Sequence, residues 1–242
     1  TTEYYKKVTD DLLLEVQLPR SSGFSTALQN IGSVENQGIE FAIDATLLNG
    51  PLFWSIGCNA AYNKNEVTDL GQEERRLIDP GFNLFKGQAV SALIEGEPIG
   101  NFIGYENAGI FSTQEEIDNS AQPGAQIGAR RYVDQNGDGQ INDDDRTVIG
   151  NALPDVTGGF NTKLSYKNID LDVFFQYSLG NELYNMVALE AEFLNGRQNN
   201  STTVLDRWTP TNTDTDVMRA SNPPVAFLRQ SHDRWVEDAS FL

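Results

Sequence analysis

The residues between 134 and 145, DQNGDGQINDDD, have the types and the spacing of a calcium-binding loop. Calcium prefers oxygen ligands, and loops of this class supply them from positions 1, 3, 5, 7 and 12, with glycine at the sharp turn of position 6. In this stretch position 6 is Gly139, and position 12, normally a glutamate, is an aspartate. The predicted calcium ligands are Asp134, Asn136, Asp138, the main-chain carbonyl of Gln140, and Asp145.

The flanks of the loop indicate what kind of calcium site it would be. GARRYV, before the loop, predicts a strand, and RTVIGN, after it, lacks the spacing of an amphipathic helix. A single loop without a helix-loop-helix partner favours a structural ion, which offsets carboxylate repulsion and holds a long loop in shape. Asp143 or Asp144 is an alternative ligand at the last position, and a bare Asn/Gly turn without metal is the alternative to the whole site.

The sequence has few residue patterns that are typical of catalytic sites. The single histidine, His232, is flanked by Ser231 and Asp233, but adjacent residues of an extended segment point to opposite sides and cannot form a relay. No nucleophile elbow, phosphate-binding loop, dinucleotide fingerprint or zinc-protease motif occurs in the sequence. Cys58 lies in an alternating strand, where a small apolar filler is the expected role. We therefore predict that the protein is not an enzyme, although a glycosidase pair far apart in the chain stays open.

The charge balance limits the class of partner. The 242 residues include 35 acidic and 17 basic side chains, for a formal net charge of −18. Binding to nucleic acid requires clustered Lys and Arg to neutralise phosphates, so a nucleic-acid partner is not expected. The sequence lacks the run of about 18 apolar residues that a membrane helix needs. A transmembrane barrel, which distributes its apolar residues over alternate positions, stays possible.

The elements expected to position the loop are long strands with alternating polarity. Residues 39–47 and 53–63, joined by a turn at 49–51, form one predicted hairpin, and residues 160–166 and 169–177 form another. Their length favours an outer-membrane barrel over a soluble sandwich, whose strands usually have about five or six residues. The residues expected to face lipid are Ile39, Phe41, Trp54, Ile56, Leu171, Val173 and Phe175. Those expected to face the lumen are Asn59, Asn63, Asn161, Lys163, Asp170, Asp172 and Gln176.

Short helices are predicted in the long polar connections. Ser112 followed by Glu115 matches a capping box for a helix over 113–119. Apolar residues at helical spacing predict a second helix over about 183–195, and a third is predicted through 203–208. The end of the chain, RWVEDASFL, predicts the start of another strand.

Several stretches, in this order, resemble the barrel region of the SusC/RagA-like TonB-dependent outer-membrane transporters of Bacteroidetes. They are EYYKKVTDDLLLEVQLPRSSGF (3–24), NIGSVENQGIEF (30–41), EGEPIGNFIGYENAGIF (95–111), residues 134–185, and RWTPTNTDTD (207–216). The resemblance runs almost from end to end, and the order of the blocks is more specific than any one motif.

The resemblance implies an all-β fold, part of a plugged, 22-stranded antiparallel transmembrane β-barrel with long extracellular loops that carry short helices. Residues 1–242 are then a partial TonB-dependent receptor β-barrel domain, with the plug domain and the final strands absent. At about twenty residues per strand and connection, we expect ten to twelve strands. The calcium loop is expected to hold an extracellular loop in shape.

The resemblance also implies the function and its partners. Such transporters import oligosaccharides or peptides across the Gram-negative outer membrane, work with a SusD-like surface lipoprotein, and contact the TonB complex through an N-terminal part that this sequence lacks. The alternative is a soluble extracellular β-domain that is stabilised by calcium and binds glycans. Strand length and a fully apolar alternate face discriminate the two, because a soluble sandwich covers that face with a second sheet.

Overall fold

The computed structural model describes residues 1–17, 26–71, 74–78, 89–192, 199–220 and 230–242. Its elements, in chain order, are β1 (Thr2–Gln17), β2 (Thr26–Asn49), β3 (Leu52–Asp69), β4 (Arg75–Ile78), β5 (Ser91–Ile94), β6 (Asn101–Gly104), β7 (Asn107–Ile110), α1 (Gln114–Asp118), β8 (Arg130–Tyr132), β9 (Thr147–Asn151), β10 (Val156–Tyr166), β11 (Ile169–Leu179), β12 (Glu182–Tyr184), α2 (Met186–Ala191) and β13 (Val236–Asp238). Short 3-10 helices cover Asp143–Asp145, Thr202–Asp206 and Asp233–Trp235. Within these described ranges, no helix is both long and apolar enough to span a membrane.

The long strands form one antiparallel sheet in the order β1-β2-β3-β10-β11. Both predicted hairpins are confirmed: β2 joins β3 through Gly50 and Pro51, and β10 joins β11 through Lys167 and Asn168. The two short turns lie at the same end of the sheet, because β10 pairs with β3 over their full shared length. The chain leaves the sheet after Asp69 of β3 and returns at Val156 of β10, both at the opposite end.

The described residues contain fewer long strands than the ten to twelve expected from the sequence. Five strands have 11 to 24 residues. The other eight have three to five residues and form small separate sheets. The expected number of strands was too high because it assumed connections of equal length. In the structure, much of the chain lies in one long connection between β3 and β10.

The two faces of the five-stranded sheet differ in polarity. Residues that are directly opposite in an antiparallel register share a face, and Phe160 lies between Cys58 on β3 and Phe175 on β11. The large exposed apolar residues on this face include Tyr4, Ile39, Phe41, Ile43, Trp54, Tyr62, Phe160, Tyr166, Ile169, Leu171, Phe175 and Leu179. No second layer of the described residues covers them, so the sheet presents a broad apolar surface.

The opposite face of the sheet is polar. Lys163 lies opposite Asp172 on β11 and Ser55 on β3, and Gln176 lies opposite Gly159. All the residues predicted to face the lumen fall on this face, in agreement with the period of two that the sequence predicted.

A tyrosine packs over a glycine where β10 passes between β3 and β11. Gly158 lies directly opposite Tyr177, whose hydroxyl donates a hydrogen bond to the Asn59 carbonyl at 3.2 Å. A Cβ added to Gly158 would meet both that carbonyl and the Tyr177 hydroxyl. The tyrosine ring therefore fills the space that the missing side chain leaves, a known means of supporting glycine in sheets.

We expect Gly158→Ala to destabilise the folded sheet by about 1–3 kcal/mol, because the new methyl group must displace the Tyr177 ring or the Asn59 backbone. The measurement is the temperature at which the folded band of the intact protein is lost on a heat-modifiability gel. Gly50→Ala is the matched control, since its Cβ would meet no atom within 4 Å. Equal melting of the two variants would contradict the packing argument.

The buried residues are concentrated in the small sheets and helices outside the long hairpins. β4, β5, β6 and β9 form a four-stranded sheet, while β7 pairs with β8 and β12 with β13. The clusters of buried apolar residues are Val90, Leu189 and Trp235; Tyr105, Tyr132 and Ile141; and Phe111, Ile117 and Ala129. The connecting segments therefore have a core of their own.

The predicted helices occur near the expected places with different ends. In α1 the capping box joins Thr113 and Glu116 rather than Ser112 and Glu115, although the Glu116 carboxylate also accepts from the Ser112 amide at 2.6 Å. The helix expected over 183–195 is α2, which begins at Met186 because the preceding residues pair with β13 as β12; residues 193–195 lie outside the described residues. The helix expected through 203–208 is a 3-10 helix over Thr202–Asp206.

Candidate functional site

The loop from Asp134 to Gln140 is folded by hydrogen bonds between its own side chains and backbone. The Asp134 carboxylate accepts from the Gly137 amide at 2.7 Å and from the Gly139 amide at 2.8 Å. The side chain of Asn136 accepts from the amide two residues later, and that of Asp138 does the same. Gly137 and Gly139 have φ of +73° and +81°, a region that favours glycine.

The end of the loop is buried. Asp145 has no exposed surface, and its carboxylate accepts from the Gln135 amide at 3.0 Å and the Asn142 amide at 2.7 Å. Ile141 packs against Tyr105 and Tyr132. These contacts fix the loop between β8 and β9, and β8 confirms the strand predicted before the loop.

The structure thus places the five predicted ligands in one compact loop, with four near its exposed tip and Asp145 beneath. Each aspartate of the set has its carboxylate turned to backbone amides of the loop. In the part of the chain that the structure describes, no group of three or more His, Cys, Asp or Glu side chains is arranged to hold a metal ion. The calcium assignment therefore stays a prediction.

A cleft of about 650 Å³ opens beside the loop, between α1 and β8. Its wall includes Glu115 and Asn119 from the helix, Arg131 from β8, and Asp134 at the start of the loop. The Arg131 guanidinium donates to the Ala108 carbonyl at 2.7 and 3.0 Å, which fixes the side chain along the wall. The first ligand of the predicted calcium site is therefore also part of a polar cleft.

Two arginines join the segments around this region, a feature that the sequence did not reveal. Arg130, buried in β8, donates to the Asp216 carboxylate at 3.2 Å and to the Asn107 side chain at 2.8 Å. Arg234 pairs with Asp216 and, at 2.7 Å, with Glu192 at the end of α2. Burial lowers the pKa of Arg130 to about 10, so the guanidinium stays charged at neutral pH and depends on these acceptors.

His232 is buried beside this network and takes no part in a catalytic relay. Only 3% of its surface is exposed, and its ring lies 5.9 Å from the Tyr132 ring and 5.3 Å from the Trp235 ring. The Ser231 hydroxyl donates to the Ile103 carbonyl at 2.7 Å, and the Asp233 carboxylate accepts from the Asn107 amide at 3.1 Å. Both neighbours are therefore committed to backbone partners, in agreement with the expectation from sequence.

Comparison with known proteins gives the chain a family. No family model matches it. It is 39% identical over 241 residues to TonB-dependent receptor P26 of Formosa agariphila, an alignment that covers 99% of this chain and 24% of that protein. It is 30% identical over 206 residues to TonB-dependent receptor SusC of Bacteroides thetaiotaomicron, which covers 84% of this chain and 19% of SusC. The chain belongs to the SusC-like TonB-dependent receptor family. A solved structure, the RagAB peptide transporter, superposes with a TM-score of 0.74 at 26% identity, over 99% of this chain and 25% of that one.

Membership of the SusC-like TonB-dependent receptor family confirms the resemblance predicted from the ordered sequence blocks. The match to RagAB and the antiparallel strands confirm the all-β class and the likeness to part of a transporter barrel. The chain spans about a quarter of the length of the relatives it matches first. The relatives are named as receptors and a transporter, which accords with the prediction that the protein is not an enzyme.

Proposed function

We propose that this chain forms part of the wall of an outer-membrane barrel that imports nutrients in a TonB-dependent manner. The observation that carries the proposal is the five-stranded sheet, with one face exposed and apolar and the other polar. In water, so large an apolar surface would be costly and would drive association. In a bilayer the same surface faces hydrocarbon, while the polar face lines the lumen.

The edges of the sheet also support a barrel that continues beyond these strands. β11 pairs with β10 along all of its length, and on its other side the described residues contribute only the bridge between Ser178 and Phe241. Unpaired backbone groups at a sheet edge are too costly to expose to lipid. The proposal therefore places residues 1–242 as a partial TonB-dependent receptor β-barrel domain, one section of the wall of a larger barrel.

The proposed cargo is an oligosaccharide or a peptide, and the proposed partners are a SusD-like lipoprotein and, through an N-terminal part, the TonB complex. One solved relative is named as a peptide transporter, which supports a peptide cargo, while the oligosaccharide rests on the resemblance to the SusC-like family. The net charge of −18 gives no basis for a nucleic-acid partner.

The two faces can be distinguished by labelling. In the intact receptor with Cys58 replaced by serine, we expect a membrane-impermeant thiol reagent to label Asp172→Cys at least about tenfold faster than Leu171→Cys, because only residue 172 lies on the polar, hydrated face. The measurement is the labelling rate in outer-membrane vesicles permeable to the reagent. Faster labelling at 171 would reverse the assigned faces. Equal fast labelling would favour the soluble, glycan-binding domain.

For the loop at 134–145, the proposal is a structural calcium ion held by Asp134, Asn136, Asp138, the Gln140 carbonyl and Asp145. What supports it is the order of oxygen donors along a loop already folded around the Asp134 carboxylate. An ion there would offset the repulsion between the carboxylates, and Asp145 would bind it through the lone pairs that its two backbone hydrogen bonds leave free.

A further inference from the structure

Residues 231–241, here called the strap, connect several parts of the loop assembly to the barrel sheet. The Tyr105 amide donates to the Ser231 carbonyl at 2.8 Å, and the Asn185 amide donates to the Trp235 carbonyl at 2.6 Å. Further along, β13 pairs with β12, and Phe241 exchanges two backbone hydrogen bonds with Ser178 of β11. The strap therefore closes over β6 and β12 before it reaches the end of the sheet.

The histidine at the start of the strap is enclosed without a hydrogen-bond acceptor or donor for one of its ring nitrogens. Nδ1 of His232 is buried and has no hydrogen-bond partner among the described residues. The ring is packed between Tyr132 and Trp235. A second proton on the imidazole would therefore place a charge in a buried site that offers no protein acceptor to that nitrogen among the described residues.

The groups that surround His232 make such a charge still less favourable. Those with titratable or charged side chains are Arg130 and Tyr132 on β8, Tyr105 between β6 and β7, Tyr184 on β12, and Asp233 and Arg234 in the strap itself. Arg130 is cationic, and the carboxylate of Asp233 is committed to the Asn107 amide. The positive charge of Arg130 therefore opposes protonation of His232.

We propose that His232 makes the contacts of the strap depend on pH. The strap stays bound to the loop assembly while the imidazole is neutral and is released when the imidazole is protonated. Released, the strap would give up its contacts with β6, α2 and β12 and loosen the loops around the polar cleft. The consequence for an extracellular loop assembly is that its shape depends on the acidity outside the cell.

Proton linkage determines whether acid favours the closed or the open strap. Burial, with the charge of Arg130 as a second cause, holds the pKa of His232 well below its ordinary value in the closed strap. An exposed histidine titrates near its ordinary pKa of about 6.5, so the open form binds the proton first and acid favours opening. Burial raises the pKa of Asp233, which works in the opposite direction and favours the closed form in acid. Acid release would therefore come from His232, the only histidine of the chain.

The test is hydrogen–deuterium exchange on the intact receptor in detergent, expressed as protection factors so that the intrinsic pH dependence of exchange is removed. Between pH 7.5 and 5.5 we expect protection of the amides closed by the strap, those of Tyr105 and Asn185, to fall about tenfold. Amides of β10 and β11 near the turn at Lys167 and Asn168 serve as an internal reference, because they lie at the end of the hairpin away from the contact between Ser178 and the strap. Protection at Tyr105 and Asn185 that is independent of pH would overturn the proposal.

Two variants separate titration from packing. His232→Gln removes the titrating group and is expected to abolish the tenfold change. Trp235→Phe alters a ring contact but keeps the histidine. Its protection at pH 7.5 is expected to fall below that of the native protein, while the tenfold change with pH is expected to remain. If His232→Gln does not fold, the test is the change of protection between pH 7.5 and 5.5 in Trp235→Phe and in the native protein. A tenfold change that persists in His232→Gln, or that disappears in Trp235→Phe, would overturn the proposal.

Discussion

Arginine in place of Phe175 is expected to destabilise the folded barrel by about 2–4 kcal/mol, the cost of a cationic side chain on the lipid face near the bilayer midplane. Phe175 lies on β11 opposite Phe160, away from both ends of the strand. The guanidinium would have no polar partner on this face, because the surrounding side chains are apolar. Most of the variant is therefore expected to remain outside the folded, membrane-inserted fraction.

The matched control is the next residue. Gln176→Arg introduces the same charge one position along β11, on the polar face and opposite Gly159. It is expected to change folding by less than about 1 kcal/mol, because the side chain stays hydrated. The measurement is the urea concentration at which the folded band of each intact receptor is lost in detergent-lipid vesicles. Equal losses in the two variants would show that the apolar face does not contact lipid.

The faces were predictable because they depend on local sequence alone. Successive strand residues point to opposite sides, so the alternation in 169–177 fixed which residues share a face before any partner strand was known. The strand register confirmed these faces: Lys163 lies directly opposite Asp172, and both were predicted to face the lumen. The hairpin turn was equally local, since Lys167 and Asn168 interrupt the alternation between two apolar-patterned runs.

The loop assembly was harder to predict because its contacts join distant residues. Leu183 fits a helical spacing, yet it pairs with β13, more than fifty residues later in the chain, and the helix begins only after Asn185 caps it. Arg130 and Asp216 are 86 residues apart, and each lies in a stretch whose composition suggests only a strand or a polar loop. No local pattern encodes such pairs, which follow from the tertiary fold.

In the candidate site, too, some features follow from local sequence and others from contacts between distant residues. The side chains of Asp134, Asn136 and Asp138 accept from backbone amides of the same loop, so local sequence was enough to identify this stretch. Ile141, in contrast, packs against Tyr105 and Tyr132, and Tyr105 comes from a distant part of the sequence. The sequence therefore identified the loop, while the contacts that support it could be seen only in the fold.

Removal of the Asp134 side chain is expected to weaken calcium binding by at least about tenfold, because calcium affinity in such loops depends on the number of charged ligands. The same carboxylate accepts from the Gly137 and Gly139 amides, so the loop should also lose order. Isothermal titration of the intact receptor with calcium after chelation measures the first effect. Exchange of the amides at 137 and 139 measures the second.

Two controls distinguish a bound ion from a loop that only needs its own hydrogen bonds. Asp118→Ala removes an exposed carboxylate from the end of α1, outside the loop, and is expected to leave calcium binding unchanged. Asp145→Ala leaves the amides of Gln135 and Asn142 without their acceptor, so it should destabilise the loop by about 1–3 kcal/mol even in the presence of chelator. Calcium added to the native receptor should raise the protection of residues 135–140 if the ion binds there. Unchanged calorimetric binding in Asp134→Ala would remove calcium from this loop and leave a turn held by its own side chains.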